Sequence, residues 1–133
     1  MDDMFDFKKF FIWLFVLVAA FVFVTKTYTL DDVLAYADKN PHRPSSEKIA
    51  YFVGAIHFQK SEYPQALKAY EQVLTDFPTG QYAPKALFRK GTMHLSLNQW
   101  TLARESYELY MKDYADGEDI EAVKKKYEYV KFK

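Results

Sequence analysis

The sequence predicts an all-α protein: one N-terminal transmembrane helix, then a short α-solenoid of helix hairpins closed by a C-terminal capping helix. Three observations lead there. An uninterrupted apolar run stands near the start of the chain. Apolar residues recur at helical spacing through the remainder. From residue 45 to residue 117 the chain repeats its own plan at an offset of 37.

The apolar run is residues 10–24, FFIWLFVLVAAFVFV. As a helix rising about 1.5 Å per residue it covers roughly 22 Å, short of the ~30 Å of a hydrocarbon layer. Thr25, Thr27 and Tyr28 extend it if Lys26 snorkels to the headgroups. Trp13 and Tyr28 are interface-type aromatics, so residues 10–28 are the expected lipid contact. A buried core helix does not fit, because every side is large and apolar and the rest of the chain is too small to enclose it. Lys8-Lys9 ahead of the run and "VAA" at 18–20 also resemble a cleavable signal. The chain has no cysteine, so lipoprotein processing is not available. The expectation is a retained single-pass anchor. Lys8 and Lys9 before the span outnumber Lys26 after it, which places the short N-terminus inside and the rest outside. In a bacterial inner membrane that means a periplasmic domain.

After the span, TLDDVLAYADKN reads as a short helix capped by Thr29, with Leu30, Val33, Leu34 and Ala37 on one face. Pro41-His42-Arg43-Pro44 reads as a stiff linker. A helix with Ser45 or Ser46 as its cap follows, with Ile49, Phe52, Val53 and Ile56 at helical spacing. The next helix starts near Tyr63 with Pro64 in its first turn and stops before Pro78, where Gly80 suits a left-handed turn. At offset 37, Gly54 pairs with Gly91, His57 with His94, Ala66 with Ala103, Tyr70 with Tyr107, Glu71 with Glu108 and Gly80 with Gly117. A helix over 85–97 and another capped by Thr101 and ending near Tyr114 therefore repeat the first pair. Gly54 and Ala66 mark where the helices of a hairpin approach closely, and Tyr70 is expected to fill the space toward the next pair. The last stretch carries Ile120, Val123, Tyr127 and Val130 on one stripe, with acids first and lysines last, as a capping helix should. The predicted division is a tail and anchor over 1–28 and a helical domain over 29–133. That domain divides into a half repeat 29–41, repeats 45–81 and 82–117, and a cap over 118–131.

Gly, Ala twelve on, an aromatic four on and Pro eight on is the spacing of Gly54, Ala66, Tyr70 and Pro78. It resembles the tetratricopeptide repeat. Gly91, Ala103 and Tyr107 meet the first three positions, with Ala115 in place of the Pro. His57 and His94 stand where that family prefers Tyr, and Lys90 where it prefers Leu. The family's usual period is about 34 residues. The longer loop FPTGQYAP resembles its bacterial envelope members.

The resemblance implies a protein-binding groove on the first helix of each hairpin. Carried over by position, it is Lys48, Tyr51, Ala55, Phe58 and Gln59, then Lys85, Phe88, Thr92, Leu95 and Ser96. That face is aromatic with a basic edge, suited to a hydrophobic helix or an extended peptide. A carboxylate clamp of Lys and Asn is not expected, since Tyr51, Ala55, Phe88 and Thr92 hold those positions.

Lys+Arg and Asp+Glu are equal at 18 each, so nothing pulls the chain as a whole toward nucleic acid. Thiol chemistry is excluded by the absence of cysteine. No phosphate loop, nucleophile signature or paired carboxylate appears, and no enzyme, cofactor or metal is expected. The lysines at 124–126, 131 and 133 read first as a solvated helix face matched to the dipole, and second as a contact for anionic lipid or an acidic partner. The functional expectation is a membrane-anchored protein–protein interaction scaffold, an accessory or structural subunit whose partners are integral membrane proteins. The alternative is a periplasmic adaptor or chaperone-like assembly factor binding client peptides.

Overall fold

The structure, a computed structural model, describes residues 6–133. Among these there are seven helices and no strand: α1 Phe7–Thr27, α2 Leu30–Lys39, α3 Pro44–Gln59, α4 Tyr63–Asp76, α5 Ala83–Ser96, α6 Trp100–Asp113 and α7 Ile120–Val130. The protein is all-α. Its contacts divide it into an N-terminal unit ending at Val33 and a repeat unit running from Leu34 to Lys133.

In the N-terminal unit, α1 has a mean hydropathy of 2.3 over its most apolar window and none of its residues is buried. At about 1.5 Å per residue it is roughly 31 Å long, enough by length and composition to cross a bilayer. Asp6 caps it, accepting the Lys9 N–H. Thr29 and Asp32 form a reciprocal capping box at the start of α2: Thr29 N–H donates to Asp32 Oδ2 at 2.8 Å, and Asp32 N–H donates to Thr29 Oγ1 at 3.3 Å.

The repeat unit is a run of antiparallel helices in which α3 packs on α4, α4 on α5, α5 on α6 and α6 on α7. Leu34 and Ala37 of α2 are buried in it. The core is built from small residues faced by rings: Ala50, Val53 and Gly54 with Ala66, Ala69, Tyr70 and Val73, then Ala86, Leu87 and Gly91 with Ala103, Tyr107 and Tyr110. A Cβ on Gly54 would lie 2.8 Å from Tyr70 Cε1, and one on Gly91 would lie 2.5 Å from Tyr107 Cε1. The glycine leaves room for the tyrosine ring against its own hairpin. Tyr70 therefore packs within its own hairpin, while Arg89 of the next hairpin acts on its phenol.

Both hairpin turns are built alike. Among the described residues, Ser61 and Asn98 are the two non-glycine residues with positive φ, at 59° and 57°. Glu62 N–H reaches His57 C=O at 2.9 Å and Ser61 N–H reaches Phe58 C=O at 3.0 Å; Gln99 with His94 and Asn98 with Leu95 repeat this at 2.8 and 3.1 Å. This is a Schellman closure, which satisfies the last carbonyls of the helix.

Several local expectations change. Pro44 opens α3 instead of ending a linker. Ser46 is buried, and its hydroxyl donates to Asn40 C=O at 2.7 Å, so it does not cap α3. Thr101 lies inside α6, which starts at Trp100. Gly80 has no left-handed φ. It is small because the Glu47 carboxylate occupies the place its Cβ would take.

Candidate protein-binding surface

The register of α3, α5 and α7 sets the surface. None of the ten predicted positions is fully buried: Lys48, Gln59 and Ser96 are exposed and the other seven are half-buried. Three of the ten come together. Tyr51, Lys85 and Phe88 line a cleft of about 190 Å³ with Arg89, Glu118 and Asp119. Ala55, Phe58, Leu95 and Ser96 lie outside it.

Tyr51 belongs to a ring cluster, with centroids 4.9 Å from Tyr82, 5.5 Å from Phe52 and 5.8 Å from Tyr70. It links that cluster to the cleft, while burial at the base of the cluster pushes the Tyr70 phenol far above its ordinary value. Phe58 lies 5.9 Å from Tyr63, and the Arg89 guanidinium sits 5.5 Å over its face, tying α5 to α3. Phe88 and Leu95 pack partly against the core of α6 and α7. Thr92 Oγ1 donates to Phe88 C=O at 3.0 Å and Ser96 Oγ to Thr92 C=O at 3.1 Å, each within its own helix.

The basic edge is answered from within the chain. Lys85 Nζ is 3.3 Å from Glu118 Oε2, and that carboxylate holds the lysine above its usual value. The cleft is thus mixed in charge rather than basic. Sequence reasoning missed Glu118, Asp119 and Arg89 as cleft residues. It also missed that α7 continues the series: one more step of 37 takes Phe88, Thr92 and Leu95 to Lys125, Tyr129 and Phe132. Tyr129 and Phe132 are indeed exposed. The signal was in the register, and reading α7 only as a cap hid it.

The histidines that replace the usual tyrosines are buried, and each holds a turn. His57 Nδ1 is 2.6 Å from Glu62 Oε2, and His94 Nδ1 is 2.7 Å from Gln99 Oε1. Lys60 first, then His57, holds the Glu62 carboxyl below its ordinary range.

Residues 85–117, spanning α5, α6 and the loop beyond, match the family described as Tetratricopeptide repeat. These residues are a tetratricopeptide repeat. The α3–α4 hairpin reproduces the repeat's glycine–tyrosine contact, its buried histidine and its turn at an offset of 37. Comparison with curated proteins and with solved structures finds no match. A different face of α5 floors a second groove, of about 510 Å³, walled by Leu67 and Leu74 of α4 and by Leu102 and Leu109 of α6.

Proposed function

We propose that the chain is a membrane-anchored, non-catalytic protein–protein interaction scaffold. It serves as an accessory or structural subunit of a larger membrane complex and binds a partner through its tetratricopeptide-repeat surface. The binding face is Lys48, Tyr51, Ala55, Phe58 and Gln59 on α3 with Lys85, Phe88, Thr92, Leu95 and Ser96 on α5. The observation that carries the reading is this series of half-buried rings and aliphatic side chains at matching register positions on α3 and α5. A repeat of this family is an interaction module, and an apolar face of that kind takes the apolar side of a helix or an extended segment. The partner is an integral membrane protein, because α1 is long and apolar enough to hold the scaffold beside one. The excess of Lys8 and Lys9 over Lys26 favours the periplasmic side of a bacterial inner membrane for the repeats, in keeping with the long loops of envelope-type repeats.

Purification from the native membrane in mild detergent, with intact mass and stoichiometry, tests this. A fixed-ratio assembly holding the chain with α1 still attached is expected. Recovery of the chain without α1, or with many substoichiometric clients, would assign it to a released adaptor or a chaperone-like helper.

A further inference from the structure

The antiparallel run leaves the repeat unit with a pair of unlike edges. One edge gathers the α2–α3 connection, which carries Arg43, and the α4–α5 and α6–α7 loops, which carry the acids. These two loops hold Asp76, Asp113, Asp116, Glu118 and Asp119, with no Lys or Arg between 76 and 82 or between 113 and 119. The other edge gathers the hairpin turns and the end of α7. Its connecting residues are Lys60-Ser61-Glu62, Leu97-Asn98-Gln99 and Lys131-Phe132-Lys133. Among the described residues, Glu62 is engaged by Lys60 and His57 and Lys131 by Glu128, which leaves Lys133 as the lysine of this edge outside an ion pair; on the other edge Glu118 is engaged by Lys85.

That second edge is also where rings and lysines interleave in the open. Phe132 is 88% exposed, Tyr129 56% and Leu97 45%. Trp100 and Tyr129 lie edge to face at 6.1 Å. Lys133 Nζ sits 5.4 Å from the Trp100 ring and 4.9 Å from that of Tyr129, and Lys131 Nζ sits 4.9 Å from Phe132. Next to it an apolar cleft of about 290 Å³ opens between Tyr63, Leu67, Met93 and Leu97. Tryptophan and tyrosine favour the level of lipid headgroups, and lysine at that level is drawn to anionic phosphate.

We propose that this edge rests on the anionic surface of the bilayer, with Trp100, Tyr129 and Phe132 in the interfacial layer and Lys133 on the phosphates. The segregation of charge selects the face. The basic edge is attracted and the five-acid edge is held away. The inference rests on the anchor reading, which supplies the membrane; two residues, Tyr28 and Thr29, join α1 to α2.

Trp13 and Trp100 are the two tryptophans, so Trp13→Phe leaves Trp100 as sole reporter. The full chain with that change is reconstituted in nanodiscs of phosphatidylcholine, with or without phosphatidylglycerol, brominated near the headgroup. The expected result is stronger Trp100 quenching when phosphatidylglycerol is present. Salt and Lys133→Ala should relieve it, the latter with about a five-fold loss in the docking equilibrium constant, helicity unchanged. Phe132→Ser should reduce quenching with either lipid. If the chain enters the discs and Trp100 is unquenched in both, the docking proposal is overturned and the anchor stands. If the chain does not enter the discs, both fall. Shielding of Trp100 in native membranes without quenching in discs would assign the edge to an acidic protein instead, and equally overturns the proposal.

Discussion

At the scale of single residues, the two glycines inside helices are the most constrained positions. Each lies under a tyrosine ring that is itself fully buried, so the ring has nowhere to go. Gly91→Ala is expected to destabilise by about 1–3 kcal/mol through overpacking, and Gly54→Ala by less, since its approach is 2.8 Å rather than 2.5 Å. Denaturant melts of the two variants check both the sign and the order. Glu62 makes a pH prediction. Its folded pKa is held below its unfolded value, so its contribution is complete above the usual glutamate pKa of about 4.3 and fades as pH falls through the folded value. Glu62→Gln keeps an acceptor for His57, as Gln99 does for His94, but cannot titrate. The melting-temperature gap between parent and variant should be largest near neutrality and close below pH ~4. A gap independent of pH would remove the ion pair from the account.

At the scale of elements, the turns and loops show one backbone task met in different ways. Ser61 and Asn98 occupy the left-handed position of matching Schellman turns. Asn tolerates that conformation and Ser does so less well, so Ser61→Gly should stabilise by roughly 0.5–1 kcal/mol, whereas Asn98→Gly should do less. In the longer loops, Tyr82 N–H is held by the Glu47 carboxylate at 2.6 Å, and its equivalent Asp119 N–H by the Tyr110 hydroxyl at 3.2 Å. Glu47→Ala leaves a backbone donor unpaired, and a loss of about 1–2 kcal/mol is expected in an equilibrium melt. Helix existence and repeat register were legible in the sequence, because Gly54, Ala66 and Tyr70 recur with their surroundings intact. The caps were less so. Ser45, Ser46 and Thr101 looked like caps by residue type, yet Ser46 stands at the register position of the buried Ala83, and burial outweighed propensity. Glu47 could not be read at all as a loop clamp, since its partner is 35 residues away and nothing local marks it.

At the scale of the whole molecule, α7 explains how the stack ends. It keeps the register of α3 and α5 but puts Lys124, Glu128 and Lys131 where α5 has Leu87, Gly91 and His94. Lys124 pairs with Glu121 and Lys131 with Glu128 across that face. A further helix cannot close on a glutamate where the hairpin needs a glycine, so the stack is capped in polar residues. The candidate surface was half legible for the same reason. The α3 and α5 positions follow from the repeat, but the Lys85–Glu118 pair comes from a loop outside the register. Phe88 also proves a poor probe, because it braces the core of the second repeat as well as facing the cleft. Ser96 is the cleaner one: it is exposed, and its hydroxyl bonds within its own helix.

In the proposed function, the face shared by α3 and α5 holds a protein partner. The most direct measurement is photocrosslinking in the native membrane from a benzophenone side chain at Ser96, against the same group at Leu109 on the other groove. One dominant membrane-protein adduct is expected from position 96 and little or none from position 109. Adducts from position 109 alone, or none from either, would contradict that reading.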